Sequence, residues 1–171
     1  MVTKISIRLL LLMAIGGTIG CDRVTKHVAA TTLSGTPSRS FLADTVRLEY
    51  AENAGAFLSL GAGWPLPVRT AFFSIGSGLV LLALAVMVMR LRWPGPTRLG
   101  VALFVAGGTS NLLDRIAYGK VIDFMNVGLG PVRTGIFNVA DMAIMLGVAI
   151  VVVGTYRSDG RAQIQGSDTP S

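Results

Sequence analysis

The 171-residue sequence contains one cysteine, Cys21, and one histidine, His27. A lone cysteine excludes an internal disulfide. On a helix, residues six apart point to different faces, so a Cys21–His27 nucleophile pair is disfavoured, and no cluster of metal-ligating residues stands elsewhere. Charge is also scarce. Only 14% of residues are charged, nine of them acidic, against 51% hydrophobic residues. That balance, with a mean hydropathy of +0.63, lies outside the soluble range and points to the membrane class. The net charge of +6 then reads as membrane topology and attraction to anionic lipid, not as nucleic-acid binding.

A hydrocarbon core about 30 Å thick needs roughly 20 apolar helical residues. "TAFFSIGSGLVLLALAVMVM" (70–89) is such a run, bounded by Arg69 and Arg90. Residues 134–156 form another, interrupted only by Asp141. "LGVALFVAGGTSNLL" (99–113) reaches span length if Asp114 and Arg115 lie at the interface, and "LLLLMAIGGTIGC" (9–21) continues helically to about Val28. Lys4, Arg8 and the small residues before Cys21 also describe a cleaved signal peptide. Thr18 and Ile19 match the lipoprotein form of that signal poorly, and cleavage would strip Asp22 and Lys26 from their helix. The expectation is therefore an all-α integral membrane protein with four spans, at about 5–28, 68–90, 97–115 and 138–157. Residues 1–157 form one domain, followed by a disordered cytoplasmic tail, 158–171. The connector "RLRWPGPTR" holds three Arg and no acid, which makes that side and both termini cytoplasmic. Seven of the nine acids fall on the opposite side; only Asp159 and Asp168 do not.

The outer connectors carry strand signals. In "TVRLEYAENAGAFLSL" (45–60), Val46, Leu48 and Tyr50 alternate with Arg47 and Glu49, the period of a half-buried strand. "ENAG" reads as a turn and "AFLSL" as a returning strand, giving a small hairpin or sheet at the membrane surface. The second outer connector, about 116–136, holds the β-like run "KVIDFMNV".

Two acids sit in apolar company: Asp123 between Ile122 and Phe124, and Asp141 at the start of the last run. Asp141 stands three residues after Asn138, so "NVAD" reads as a capping box with Asn138 as N-cap. A helix over 138–156 is about 28 Å long, and holds Asp141 about one turn inside the outer boundary. Asp123 has no such local explanation, and charges beside hydrocarbon usually mark function. Two carboxylates brought together share one proton and can activate water. Asp22 and Lys26, i and i+4, and Asn111, Asp114 and Arg115 stand at outer helix ends, where interfacial salt bridges worth a few tenths of a kcal/mol would suffice to explain them. Asn53 has the plain reading of a turn former. All these groups fall on one side of the membrane, which favours a single outer-leaflet site. A carrier would place polar groups at the bilayer midplane; the second run has only Ser and Thr there.

The segments "CDRVTKHVA" (21–29), "ENAGAFLSL" (52–60), "NLLDRIAYGKVIDF" (111–124) and "FNVADMAIMLG" (137–147) resemble, in order, the four sequence boxes of lipoprotein signal peptidase, or signal peptidase II. The resemblance covers roughly 20–150. It implies a bacterial inner-membrane aspartyl endopeptidase that cuts diacylglyceryl-modified prolipoproteins just before the lipidated cysteine. It further implies four transmembrane helices with a small extracytoplasmic sheet cradling the substrate. By the same resemblance Asp123 and Asp141 match the catalytic aspartates. Asp22, Lys26, Asn53, Gly55, Asn111, Asp114, Arg115 and Asn138 match supporting or substrate-binding positions. No metal or cofactor is implied; the expected partners are prolipoproteins and membrane lipids, and the expected state is a monomer. One departure stands out: "AGGTSN" (106–111) carries Ala106 and Ser110 where the family often has glycine. Both are small enough to keep helices close. An intramembrane aspartyl protease of the presenilin type is disfavoured, since G-x-G-D is absent.

Overall fold

The computed structural model describes residues 2–54, 64–90 and 93–167. Four helices, α1 (Val2–Thr32), α2 (Leu66–Arg90), α3 (Gly95–Tyr118) and α4 (Val139–Ser167), carry four strands, β1 (Arg39–Phe41), β2 (Val46–Asn53), β3 (Val121–Leu129) and β4 (Val132–Arg133). The strands form one antiparallel sheet in the order β1-β2-β3-β4. By length and composition, two stretches among the described residues can cross a bilayer, Ala71–Arg90 and Val139–Tyr156. The helix α3 falls short of that measure because Asn111, Asp114 and Arg115 end its apolar stretch.

The helix α3 packs against α1, α2 and α4. Its approach to α4 is set by missing side chains. A Cβ on Gly100 would meet the Gly147 carbonyl oxygen at 2.7 Å and Val151 Cγ2 at 2.9 Å; one on Gly107 would press on the Ala140 carbonyl and on Ile144 Cγ1 at 2.9 Å. Ala106 is fully buried beside them. In lipid, where apolar burial between helices gains little, such small-residue contact is the main source of association. The large apolar side chains of α2 and α4, among them Phe72, Ile75, Leu79, Leu82, Met145 and Leu146, lie exposed on the outside of the bundle. In water that surface would be an aggregation liability; against acyl chains it is the ordinary outer face of a membrane protein.

The sheet sits at the end where α1 and α3 finish and α4 begins. Phe124 of β3 is buried with Ala29 of α1 and Leu33 in the turn after it, and Leu48, Tyr50, Met125 and Val139 pack around them. The turn from α3 into β3 is made by Gly119, in the left-handed region at φ 69°, whose N–H donates to the Arg115 carbonyl at 3.0 Å. This αL C-cap ends the helix and starts β3 two residues later. Phe137 is stitched to β3 in turn: the Phe124 and Met125 N–H groups both donate to its carbonyl (3.0 and 2.9 Å), and its own N–H donates to Met125 (2.8 Å). The start of α4 therefore lies against β3.

One expectation is corrected: β2 does not turn at Glu52 and Asn53. Glu52 and Asn53 stay in the ladder, opposite Ile122 and Val121, because the main pairing partner is β3, about 70 residues later, and that pairing satisfies their backbone groups. The expected returning strand, 56–60, lies outside the described residues. Past the expected span, α4 is described as helix to Ser167; no proline interrupts 157–167, and Arg161, Ala162 and Gln163 are good helix formers.

The α3–α4 contact is testable at one atom. Gly107→Ala should destabilise the folded protein by about 1–3 kcal/mol through overpacking, read as a lower thermal midpoint in detergent. Gly76→Ala, with nothing within 4 Å of the added carbon, should not. Equal midpoints for the two variants would contradict the tight contact.

Candidate active site

The capping box expected at the start of α4 is formed. Asn138 Oδ1 accepts from the Asp141 N–H at 2.9 Å, and Asp141 Oδ2 accepts from the Asn138 N–H at 3.1 Å. One more α4 amide is satisfied from another helix: Asp22 Oδ1 of α1 accepts from the Ala140 N–H at 2.8 Å. Helix N-terminal amides have no partner within their own helix, so the local box and the side chain from α1 together fix where α4 begins.

The amide of Asn138, fully buried, faces the sheet. Its Nδ2 donates to Asp123 Oδ1 at 2.6 Å. Asp123 stands opposite Ala51 in the register. Asn53, two residues further along β2, is on the same face, and its Nδ2 donates to Asp123 Oδ2 at 3.1 Å. Asp141 Oδ1 accepts from Asn111 Nδ2 of α3 at 2.8 Å. Each of the four carboxylate oxygens thus accepts one N–H, and Asn138 connects the two acids. Asp123 is buried and Asp141 half-buried. Burial pushes the Asp123 carboxyl above its ordinary value of 3.8, and the Asp141 charge adds to that, while the amides of Asn53 and Asn138 and the Lys26 charge act the other way.

Behind the acids lies a closed ionic cluster. The Lys26 ammonium donates to Asp22 Oδ2, Asp114 Oδ2 and Asn111 Oδ1, each at 2.7 Å. Ser110 Oγ donates to Asp22 Oδ2 at 2.7 Å, and Arg23 pairs with the other oxygen of Asp114. Lys26 keeps 3% of its accessible surface and Asp22 none. The interfacial salt-bridge reading of these residues is therefore corrected. Helical spacing brought Asp22 and Lys26 together as expected, but packing of α1 against α3 removed them from solvent. Arg115 is half-buried, its Nη1 3.5 Å from the Asn111 carbonyl, and its charge acts on Asp141, Asp123 and Asp114.

Of the residues singled out in the sequence, Asp22, Lys26, Asn53, Asn111, Asp114, Arg115, Asp123, Asn138 and Asp141 converge at this one place. Gly55 lies outside the described residues. Sequence reasoning missed Ser110 and Arg23. Ser110 had been valued only for smallness, although it stands four residues before Asp114 on the helical face that carries the cluster. Among the described residues, no three of His, Cys, Asp and Glu are grouped as metal ligands. Chemically, two carboxylates with every oxygen already accepting a bond can still hold one proton on a remaining lone pair, leaving one acid and one base.

The family description Signal peptidase (SPase) II matches residues 12–157. The chain is 35% identical over 151 residues to a lipoprotein signal peptidase of Desulforapulum autotrophicum, covering 88% of this chain and 92% of that protein. It is likewise 35% identical over 150 residues to one of Syntrophus aciditrophicus, covering 85% and 91%. Two solved bacterial membrane enzymes share the fold. One has a TM-score of 0.79 at 23% identity, covering 89% of this chain and 90% of its own; the other has 0.75 at 24%, covering 85% and 92%. A match that spans all four helices and the sheet, with relatives aligned over nearly their whole length, means that this chain belongs to the signal peptidase II family of membrane aspartic peptidases.

Proposed function

We propose that this protein removes the signal peptides of diacylglyceryl-modified prolipoproteins, cutting just before the lipidated cysteine, with Asp123 and Asp141 as its catalytic pair. The observation that carries this reading is the bridge through Asn138, whose side-chain Nδ2 donates to the Asp123 carboxylate of the sheet and whose backbone N–H donates to the Asp141 carboxylate of α4. The names of the relatives supply the substrate class. In this reading α1 and α3 also cross the membrane, and both termini are cytoplasmic. The site then lies near the outer leaflet of the inner membrane, where the acyl chains of the substrate stay in lipid while its peptide reaches water.

Asp141 is the resting base and Asp123 the resting acid. Asp141 stands in the first turn of α4, where the helix dipole favours a carboxylate; Asp123 lies in β3, where no helix terminus supports its charge. The carboxylate of Asp141 takes a proton from water as the water oxygen bonds to the scissile carbonyl carbon. Asp123 gives its proton to the carbonyl oxygen, forming a neutral tetrahedral diol. Asp141 then returns its proton to the amide nitrogen while ionised Asp123 takes one hydroxyl proton of the diol; the C–N bond breaks, releasing a new carboxyl end and the amine of the lipidated cysteine, and both acids are back in their starting forms. Arg115 and Asn111 are placed to hold substrate carbonyls, and Asn138 holds Asp141 and Asp123 in register.

Because its value is raised, protonated Asp123 favours the folded state. That contribution is full below the ordinary carboxylate range and is lost as pH rises through the raised value.

Two expectations follow for purified enzyme acting on lipidated prolipoprotein. Asp123→Asn and Asp141→Asn should each reduce turnover by at least about 10²–10⁴-fold at unchanged membrane abundance, and an unlipidated substrate should be cut poorly by the wild type. Near-normal cleavage by either variant would remove that acid from the chemistry. Separately, Asn53→Ala deletes a bond that favours ionised Asp123, so the alkaline limb of the kcat/KM profile should move to higher pH. A limb that stays fixed or moves down would reverse the acid assignment.

A further inference from the structure

Lys26 touches neither Asp123 nor Asp141, yet the bonds around it decide how Asp141 is addressed. An ammonium has three donors and no acceptor, and here all three are used, on Asp22, Asp114 and Asn111 Oδ1. The third bond has a chemical consequence. An asparagine amide has one end that accepts and one that donates. With Lys26 demanding an acceptor, the oxygen of Asn111 must face α1, and its Nδ2 must face Asp141. Asn138 Nδ2 reaches the same oxygen at 3.3 Å and favours the same orientation. Asn138 is itself oriented by another group that only donates, the Asp141 backbone N–H. Reversal of Asn111 would set its oxygen against the Asp141 carboxylate, which is tolerable only if that carboxylate holds a proton.

We propose that Lys26 is a positioning residue that locks the Asn111 amide with its N–H toward Asp141, and so keeps Asp141 in its base form. Asp22, Asp114 and Ser110 hold the ammonium in place. Asp22 is divided among Lys26, Ser110 and the Ala140 N–H, so the lock is mechanically continuous with the start of α4. The charged groups around Asn111 are Asp22, Arg23 and Lys26 from α1, Asp114 and Arg115 from α3, Asp123 from β3 and Asp141 from α4. Lys26 is thus one of three cations around Asn111, but the one bonded to its side-chain amide.

The inference rests on Asp141 being the catalytic base, and the experiment separates the two ideas. Asp141→Asn tests the base; the lock is tested by the double variant Lys26→Met/Asp114→Asn. The pair of changes removes one charge of each sign, so the net charge of the cluster is kept while the acceptor demand on Asn111 is lost. The expected result is a fall in kcat of about 10- to 100-fold with little change in KM, and an acid limb of the pH profile moved to higher pH. A merely structural role would lower the amount of folded enzyme and leave the limb where it was. A folded double variant with the wild-type limb overturns the lock, even while Asp141→Asn remains inactive. Should the double variant fail to fold, Asn111→Asp keeps an acceptor for Lys26 but presents no N–H to Asp141. Its acid limb should move in the same direction, and a wild-type profile from it overturns the lock equally.

Discussion

The first amides of α4 point along the helix axis with no partner of their own, and the structure of the site follows from how they are satisfied. One is taken by Asn138, the neighbouring cap, and one by Asp22, a side chain from α1. A carboxylate buried to accept that bond needs a counter-charge, since an unpaired ion in a dry interior costs several kcal/mol. Lys26 supplies it one helical turn later, and Asp114 and Arg23 complete a cluster of two acids and two bases. The depth of α4, the contact of α1 with α3, and the orientation of Asn111 are consequences of this one requirement.

Burying such a cluster is weak evidence for stability by itself, because desolvation offsets most of the attraction. Its value lies in specificity. A purely apolar contact between α1 and α3 would let the helices slide; a lysine bonded to three named oxygens admits one register. The close α3–α4 contact at Gly100, Gly107 and Gly147 then passes that register on to α4. Above the helices, the ladder from Met125 to Phe137 does the same from the sheet side.

Local features of this arrangement were legible in the sequence, and features that depend on distant partners were not. "NVAD" announced its cap because both members of the box are three residues apart, and the β-like run around Asp123 is visible as an apolar segment between Gly119 and Gly130. The pairing of β2 with β3 could not be read, since a strand's alternation shows which face is buried but not which partner covers its edge. From its local sequence Asn53 reads as a turn former for that reason, and its diagonal contact with Asp123 appears only once the register is known. Asp22 and Lys26 show the limit most clearly: i, i+4 spacing predicts that they meet, yet carries no information on whether they meet in water or under another helix. Ser110 was hidden by its size, which alone accounts for a residue at a helix contact.

The two acids also belong to different mechanical supports. Asp123 rides on a sheet that rests on the helix ends, whereas Asp141 rides on a rod whose apolar stretch, Val139–Tyr156, has 18 residues. That stretch is about 27 Å long against a hydrocarbon thickness of about 30 Å, so the rod has no surplus length to absorb by leaning. A bilayer that thickens or thins must therefore be met by displacement of the rod or deformation of the lipid around it. Because Phe137 and Asn138 tie the start of α4 to β3, a displaced rod pulls on the sheet, and bilayer thickness bears on the whole polar end of the protein.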